Sequence, residues 1–259
     1  MGVSISAVKT VIITGASSGI GEATAEAFAR IGWRIVVGAR RVEKLTELGA
    51  RLKSLGAESV CVLPLDVCDK KSVSAFAQKA LEFTANSLDV LVNNAGLALG
   101  TDKIIEGKDD DWEAMMETNV MGLLRVTRAL TPAMVSSGKG HIINMGSIAG
   151  FLVYEGGGIY CASKHAVRAI TKTLRLELNG TAIRVTSIDP GMVETDFSNV
   201  RLKDSARAKA VYQGLKPLTG DDIAECIVWT ALRPAHVNID EILVMPVAQA
   251  APHKIHRIK

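Results

Sequence analysis

The stretch TGASSGIG, residues 14–21, follows a short β-branched run and opens a segment whose apolar residues recur at helical spacing. Its glycines allow a tight turn and a close approach of the backbone to a pyrophosphate, and the N-terminus of the following helix supplies free N–H groups. An ordinary strand-to-helix turn is the simpler interpretation, and the spacing G-x-x-x-G-x-G differs from the commonest dinucleotide motif. The strand before it and the amphipathic helix after it favour a phosphate-binding turn.

Short apolar runs alternate with helical stretches along the rest of the chain. Most of these runs are apolar almost throughout, which is typical of strands covered on both faces. Strands that alternate with helices predict a parallel sheet, with ligands binding at the carboxyl ends of its strands. We therefore expect an α/β fold: a single doubly wound Rossmann domain over residues 1–259, with an approximately seven-stranded parallel sheet and helices on both faces. The strand candidates are residues 9–14, 34–39, 60–65, 90–93, 141–145, 183–188 and 242–245.

The composition argues against several classes of protein. The formal net charge is only +3 and aromatic residues make up 4%, so we expect no nucleic-acid surface, which needs a basic stripe with aromatic partners. No apolar run reaches the roughly 20 residues that span a bilayer, so no membrane association is expected. The four cysteines form no CxxC pair, which predicts no disulfide framework and no metal site. The N-terminus lacks the pattern of a secretion signal, and these features together predict a cytoplasmic protein.

The end of the second predicted strand carries Ala39-Arg40-Arg41. Sites for NAD usually place an acidic residue there, which binds the ribose 2′-hydroxyl. Here no carboxylate stands at the strand end to repel a 2′-phosphate, and two guanidinium groups can form charge-assisted hydrogen bonds to one. The sequence therefore favours NADP as the cofactor, with Ser17 as a further hydroxyl contact. The alternative is that Arg40 and Arg41 only solvate a loop.

Tyr160 and Lys164 lie four positions apart in a stretch with an apolar stripe, so on a helix their side chains face the same way. An ammonium group beside a phenol favours the phenolate and lowers the pKa of the phenol, as acid–base catalysis near neutral pH requires. A tyrosine and a lysine at this spacing are also common on helix surfaces. Ser147 at the end of a predicted strand and Asn119 in a predicted helix turn the pair into a candidate proton-transfer site.

These residues resemble, in order and spacing, the motifs of the short-chain dehydrogenase/reductase family. The resemblance covers nearly the whole chain, from about residue 9 to the last predicted strand. It implies a nicotinamide-dependent enzyme that acts on CH–OH groups of a small-molecule substrate, and it implies a homotetramer because the family commonly forms tetramers. The motifs that carry it are residues 14–21, Asp66, residues 93–96, Asn119, Ser147, Tyr160, Lys164, residues 190–191 and Thr195.

The resemblance also implies a role for each matching residue. Tyr160 would be the general acid/base, and Lys164 would lower its pKa and bind the nicotinamide ribose. Ser147 would hydrogen-bond the substrate oxygen, and Asn119 would hold a water that links Lys164 to solvent. The expected cofactor-binding residues are Gly15, Ser17, Ser18, Gly19, Ile20, Gly21, Arg40, Arg41, Asp66, Val67, Asn93, Ala95, Gly96, Tyr160, Lys164, Pro190, Gly191, Val193 and Thr195.

Within the family, residues 94–100, 197–201 and 234–239 resemble the NADP-dependent 3-hydroxy acid dehydrogenases, including the serine and allo-threonine type. That resemblance implies oxidation of the β-hydroxyl of small 3-hydroxy acids, or reduction of 3-oxo acids. A ketoreductase for larger carbonyls, such as 3-oxoacyl thioesters or other ketones, is an alternative. A non-catalytic NADP-sensing regulator is a more distant one, because it predicts damage to the serine, tyrosine and lysine set, which is intact.

The expected substrate contacts are Ser147, Tyr154 and Arg201. A guanidinium fork matches the geometry of a carboxylate, so Arg201 is the candidate partner for an acid substrate. The alternative for Arg201 is a solvated helix face, since Lys203 and other basic residues follow it. Glu155, an acid close to the expected substrate position, weakens the assignment of a carboxylate substrate.

Overall fold

Parallel strands form the centre of the computed structural model, which describes residues 8–258. The strands are β1 (Thr10–Thr14), β2 (Arg34–Ala39), β3 (Ser59–Pro64), β4 (Val90–Asn93), β5 (Gly140–Met145), β6 (Ile183–Pro190) and β7 (Glu241–Val244). They form one seven-stranded sheet in the order β3-β2-β1-β4-β5-β6-β7, and every pair in it is parallel. Residues 1–7 and 259 lie outside the described residues. Two predictions fall partly on them: the lack of a secretion signal and the extent of the single domain over residues 1–259.

The helices lie on both faces of this sheet, which confirms the predicted α/β class. They are α1 (Gly19–Arg30), α2 (Val42–Ser54), α3 (Lys70–Phe83), α4 (Asp109–Met116), α5 (Leu123–Ser137), α6 (Gly158–Glu177), α7 (Phe197–Leu202), α8 (Ser205–Ala210) and α9 (Gly220–Ala231). None of the helices within residues 8–258 combines the length and the apolar character needed to cross a membrane.

Two apolar layers form because successive residues of a strand point to opposite faces. Ile13 of β1 packs in the layer that contains Phe28 of α1, together with side chains of α2 and α9. Ile12, the preceding residue, packs in the layer that contains Phe76 of α3 and Leu130 of α5. Burying one such side chain stabilises the fold by about 1.5–3 kcal/mol. Because each layer buries many of them, the two layers hold the helices in place on the sheet.

The chain reverses its direction of winding between β1 and β4. After β3 at one edge of the sheet it crosses back to β4 beside β1, and it then continues outward through β5, β6 and β7. The loops that follow β1 and β4 therefore diverge and leave a crevice at the carboxyl ends of the strands. That crevice is where the predicted site residues lie.

Two features differ from the sequence prediction. The segment Glu117–Gly122, which contains Asn119, is π-helical and joins α4 to α5, a distortion that is frequent at functional sites. An antiparallel hairpin of β8 (Gln249–Ala251) and β9 (Lys254–Ile255) follows the sheet. The hairpin carries no alternating apolar pattern, which is why sequence reasoning did not find it.

Candidate active site

A cavity of about 720 Å³ lies at the carboxyl ends of the strands. Its wall contains most of the residues predicted for the cofactor, the substrate and proton transfer, drawn from loops after β1, β2, β3, β4, β5 and β6. They are Gly15, Ser17, Ser18, Gly19, Ile20, Arg40, Arg41, Asp66, Val67, Ala95, Gly96, Ser147, Tyr154, Tyr160, Lys164, Pro190, Gly191, Val193, Thr195 and Arg201. Gly21, Asn93 and Asn119 are not on the wall and lie behind it.

The turn between β1 and α1 requires glycine at two positions. Gly15 and Gly19 have φ angles of +66° and +61°, a region that side chains with a Cβ disfavour. A Cβ on Gly15 would lie 2.8 Å from the Cα of Ala95. The residue at the N-cap of α1, Ser18, makes no capping hydrogen bond with its side chain, so the first N–H groups of the helix remain available to an anion. The turn fits a pyrophosphate.

Asn94 ties this turn to the neighbouring strand. Its side-chain amide donates to the carbonyl oxygens of Thr14 and Gly15, at 2.9 and 3.1 Å. Gly21 leaves room for that amide, because a Cβ there would overlap the Asn94 nitrogen. Asn93 is buried in the sheet and donates to Thr127 and Asn144, at 2.9 Å each. Gly21 and Asn93 therefore support the cradle from behind its surface.

Arg41 is placed against the phosphate turn. Its guanidinium donates to the hydroxyls of Ser17 and Ser18, at 3.0 and 2.6 Å, and both arginines at the end of β2 are exposed to solvent. The group of donors formed by these serines, Arg40 and Arg41 fits a phosphate ester beside the turn. One carboxylate also reaches this point: Asp196 Oδ2 lies 3.6 Å from Arg41 Nη1. The sequence could not indicate Asp196, because it arrives from a loop after β6.

The candidate proton-transfer residues meet at the ends of β5 and α6. Tyr160 and Lys164 lie in the first two turns of α6, and Ser147 is the second residue after β5. The Ser147 hydroxyl accepts a hydrogen bond from Ala149 N at 3.1 Å and donates weakly to Pro190 O at 3.5 Å. Lys164 Nζ donates to Met145 O at 2.8 Å and lies 5.9 Å from the centroid of the Tyr160 ring.

Burial dominates the acid–base properties of this group. Burial raises the pKa of Tyr160 above its ordinary value, while a hydrogen bond to Ser147 and the positive charge of Arg201 oppose that rise. Burial also lowers the pKa of Lys164 to about 8, and the negative charge of Asp189 opposes that fall. The expected effect of Lys164 on the pKa of Tyr160 stays a prediction.

Asn119 pairs both polar atoms of its side-chain amide within the protein. Its Oδ1 accepts from Leu97 N at 2.8 Å, and its Nδ2 donates to Leu97 O at 2.8 Å and to Ser163 Oγ at 3.0 Å. These bonds hold the loop after β4 against α6, one residue from Lys164. The water that Asn119 is expected to hold stays a prediction.

Arg201 lies over the substrate end of the cavity. Its guanidinium donates to Gly100 O at 3.1 Å, to Tyr154 Oη at 3.0 Å and to Gly156 O at 3.0 Å. It lies 5.7 Å from the centroid of the Tyr160 ring. The predicted substrate residues Tyr154 and Arg201 are therefore in contact with each other. Glu155 also lines the cavity, but 80% of its side chain is exposed and its Oε1 lies 3.6 Å from Lys103 Nζ.

Further residues of the site carry no local sequence signal. Tyr212 donates from its hydroxyl to Val193 O at 2.9 Å and pairs with Ser198 at 2.6 Å. Gln249 Oε1 accepts from Met192 N at 2.8 Å, and Arg257 of the C-terminal segment also lines the cavity. Tyr212, just after α8, and Gln249 of the hairpin stabilise the loop after β6, and Arg257 ties the C-terminal segment to Val211 and Gln213. Within residues 8–258 there is no cluster of three or more histidine, cysteine or acidic side chains that could hold a metal ion.

Comparisons with known proteins agree with this geometry. The chain is 44% identical over 251 residues to an NADP-dependent 3-hydroxy acid dehydrogenase of Schizosaccharomyces pombe, with 96% of each protein covered. It is 40% identical over 242 residues to a serine 3-dehydrogenase of Agrobacterium fabrum, with 93% of this chain and 95% of that protein covered. It matches the closed form of serine dehydrogenase complexed with NADP+ with a TM-score of 0.90 and 41% identity, over 96% of this chain and 100% of that one.

A family model described as short chain dehydrogenase matches residues 9–206. That range contains the phosphate turn, the end of β2 and all the candidate proton-transfer residues. The match therefore rests on the part of the chain that builds the cavity, and it confirms the family expected from the sequence. The chain belongs to the short chain dehydrogenase family.

Proposed function

We propose that the protein is an NADP-dependent dehydrogenase that oxidises the β-hydroxyl of small 3-hydroxy acids such as serine or allo-threonine, or reduces the corresponding 3-oxo acids. The observation that carries the proposal is the arrangement of Ser147, Tyr160 and Arg201 in the same cavity as the phosphate turn and Arg41. The names of the relatives support it, since they are an NADP-dependent 3-hydroxy acid dehydrogenase and a serine 3-dehydrogenase.

The choice of NADP rests on the donors at the end of β2. Arg41 already donates to the hydroxyls of Ser17 and Ser18. Its guanidinium is therefore held beside the phosphate turn, where it could bind the 2′-phosphate of NADP. Arg40, exposed next to it, adds a second positive charge. The residues that would hold the rest of the cofactor are those of the cavity wall, with Lys164 at the nicotinamide ribose and Val193 and Thr195 at the carboxamide.

The bound nicotinamide would accept hydride from the substrate carbon in oxidation and return it in reduction. Tyr160 would take the hydroxyl proton in oxidation and give it back in reduction, and Ser147 would hydrogen-bond the same oxygen. Because burial raises the pKa of Tyr160, the phenol is protonated at neutral pH and is ready to act as an acid. Oxidation needs the phenolate, which the hydrogen bond from Ser147 and the charge of Arg201 favour.

Arg201 supplies the recognition of a substrate carboxylate. A guanidinium has five N–H groups, and Arg201 donates three, one from each nitrogen, to Gly100, Tyr154 and Gly156. Each terminal nitrogen therefore keeps one N–H, and these two can form a bidentate pair with a carboxylate. The three existing bonds orient the guanidinium beside Tyr160, with its Cζ 5.7 Å from the centroid of the ring.

A ketoreductase for larger carbonyls is the second candidate. The cavity extends to Pro252, Ile255 and Arg257 of the C-terminal hairpin region, which leaves room for a substrate longer than serine. The two functions differ in their requirement for a carboxylate.

We also propose a homotetramer. Large apolar side chains of α9 and β7 remain exposed, including Trp229 at 47%, Leu232 at 43% and Leu243 at 43%, and a subunit interface would cover them. Light scattering coupled to size-exclusion chromatography measures the assembly; a monomer or a dimer at micromolar concentration would contradict the proposal.

A spectrophotometric screen tests the function directly. We expect reduction of NADP with L-serine, allo-threonine and 3-hydroxypropionate, much weaker reduction of NAD, and no turnover of the matching alcohols without a carboxylate. Equal rates with the alcohols or with bulky ketones would favour the second candidate. A preference for NAD would contradict the role given to Arg40 and Arg41.

A further inference from the structure

We propose that Asp189 is a positioning residue of the candidate active site: its buried carboxylate fixes the main chain at Ser147 and places a negative charge near the Lys164 ammonium. The proposal rests on the proposed dehydrogenase function for its catalytic consequences. Asp189 lies at the end of β6, directly before Pro190, and its side chain is fully buried.

The carboxylate joins the ends of β5 and β6. Asp189 Oδ1 accepts a hydrogen bond from Ser147 N at 3.2 Å and another from Ser187 Oγ at 3.0 Å. Gly146 has no room for a side chain, because a Cβ there would overlap Oδ1. Ser147 is held in extended backbone at φ −176° and ψ 158°, which directs its hydroxyl toward the cavity. The carboxylate therefore sets the position of one candidate catalytic side chain through its backbone.

The second oxygen of the carboxylate is unusual. Asp189 Oδ2 is buried and has no hydrogen-bond partner among the described residues. A buried acceptor without a partner opposes folding. An asparagine would supply the same acceptor to Ser147 and Ser187 without burying a charge. The chain nevertheless places an acid here, so the property that needs explaining is the negative charge.

Charged groups face Asp189 from two neighbouring elements. Lys164 and Arg168 lie on α6, and Glu241 lies on β7. Arg168 is already paired with Glu241, at 2.8 Å, whereas Lys164 has only the carbonyl oxygen of Met145 at 2.8 Å and no carboxylate within salt-bridge distance in residues 8–258. The charge of Asp189 is thus the one that acts on the Lys164 ammonium.

The titration of these groups fixes the pH at which the charge acts. Burial raises the pKa of Asp189 to about 6, and the nearby Glu241 adds to that rise while Lys164 opposes it. Below about pH 6 the side chain is neutral and resembles asparagine. Above that pH it is charged and favours the Lys164 ammonium, whose pKa burial lowers to about 8.

The kinetic test compares wild type with Asp189→Asn over pH 5.5–9.5 and uses Asp89→Asn as the control. Asp89 is also a carboxylate that accepts a main-chain N–H, from Thr10 at 2.8 Å, but it lies at the opposite end of the sheet. We expect the kcat profile of Asp189→Asn to match wild type below about pH 6. Above it, kcat should fall by about tenfold and the alkaline limb should move down by about one pH unit. Asp89→Asn should follow wild type throughout.

A second readout does not depend on turnover. In wild type, NMR should show the Ser147 amide proton shifting downfield with an apparent pKa near 6, because its acceptor becomes charged there. The Lys164 Cε signal should report a pKa near 8, and Asp189→Asn should lower it.

The outcomes are distinct. Superimposable kcat profiles for wild type and Asp189→Asn would overturn the proposal, as would an equal change in Asp89→Asn or a Ser147 amide that does not titrate. If the wild type turns over no 3-hydroxy acid, the proposed function fails, and the NMR titration of the wild type still decides the role of Asp189. If Asp189→Asn does not fold, the NMR titration of the wild-type Ser147 amide still decides the role of Asp189.

Discussion

At the scale of single residues, the hydroxyl of Tyr160 carries the proposed chemistry. Replacing Tyr160 by phenylalanine should lower kcat by about 10²–10⁴-fold, the usual contribution of a positioned acid–base group. The KM for NADP should change little, because the ring and its 5.7 Å contact with Phe197 remain. Tyr212→Phe is the comparison, since it also removes a phenol hydroxyl from the cavity wall; that hydroxyl supports the main chain at Val193, so its loss should act on the KM for NADP more than on kcat. Steady-state kinetics of both variants should separate them, and an equal loss in the two would argue against a role in proton transfer.

Arg41 should decide the cofactor. Arg41→Ala removes the guanidinium that lies on Ser17 and Ser18, and the loss of charge-assisted hydrogen bonds to a phosphate should raise the KM for NADP by about 10- to 100-fold. The KM for NAD should stay within about twofold, because NAD has no phosphate at this position. Arg30→Ala, on the exposed surface of α1, serves as the control. An equal rise in the KM for both cofactors would mean that Arg41 only stabilises the turn.

At the scale of elements, α7 places Phe197, Val200 and Arg201 on the wall of the cavity. Arg201 on this helix ties it to the loops that carry Gly100 and Gly156. Arg201→Ala should raise the KM for a 3-hydroxy acid by about 10-fold or more while the KM for NADP changes little, because the bidentate partner of the carboxylate is lost. Arg207→Ala, on the neighbouring α8, should leave both constants unchanged. An unchanged KM for the acid in Arg201→Ala would contradict substrate recognition by this helix.

The elements around the cavity differ in how well the sequence predicts them. The strands were predictable because most of them are apolar along nearly their whole length, and Tyr160 and Lys164 were predictable because helical geometry places them on one face. The contacts of Tyr212, Asp196 and Gln249 were not, because they join segments that have no shared local pattern. The hydrogen bond from Met192 N to Gln249 Oε1, for example, spans 57 positions. The rise in the Tyr160 pKa on burial also needs the packed structure, since a spacing does not report how deeply a phenol is buried.

At the scale of the whole molecule, two buried groups give stability opposite dependences on pH. The pKa of Asp189 is raised in the folded state to about 6. As the pH falls through 6, the unfavourable buried charge is neutralised, so the contribution of Asp189 to the free energy of unfolding becomes more favourable. His141 behaves in the other direction. Burial and the positive charge of Arg184 together lower its pKa to about 3. The folded protein therefore excludes a proton that the unfolded chain binds below about pH 6.5.

The hydrogen bonds around His141 explain why it stays neutral. Thr186 donates to Ile239 O at 2.6 Å, so its oxygen accepts from His141 Nε2 at 2.7 Å. The other ring nitrogen, Nδ1, is buried and has no partner among the described residues. Protonating Nδ1 would create a buried N–H and a positive charge with nothing to accept the bond, which is costly in a medium of low polarity.

His141 should therefore make the protein sensitive to mild acid. The free energy of unfolding should fall by about 1.4 kcal/mol for each pH unit below 6.5, or about 2 kcal/mol at pH 5. His141→Gln keeps a donor near Thr186 but cannot titrate, so its loss of stability between pH 7.5 and pH 5 should be smaller by that amount. Urea unfolding at the two pH values, at one protein concentration so that assembly contributes equally, measures the difference. Because Asp189 titrates in both proteins, its opposite contribution cancels in the comparison, and equal losses in wild type and variant would show that His141 is protonated in the folded state.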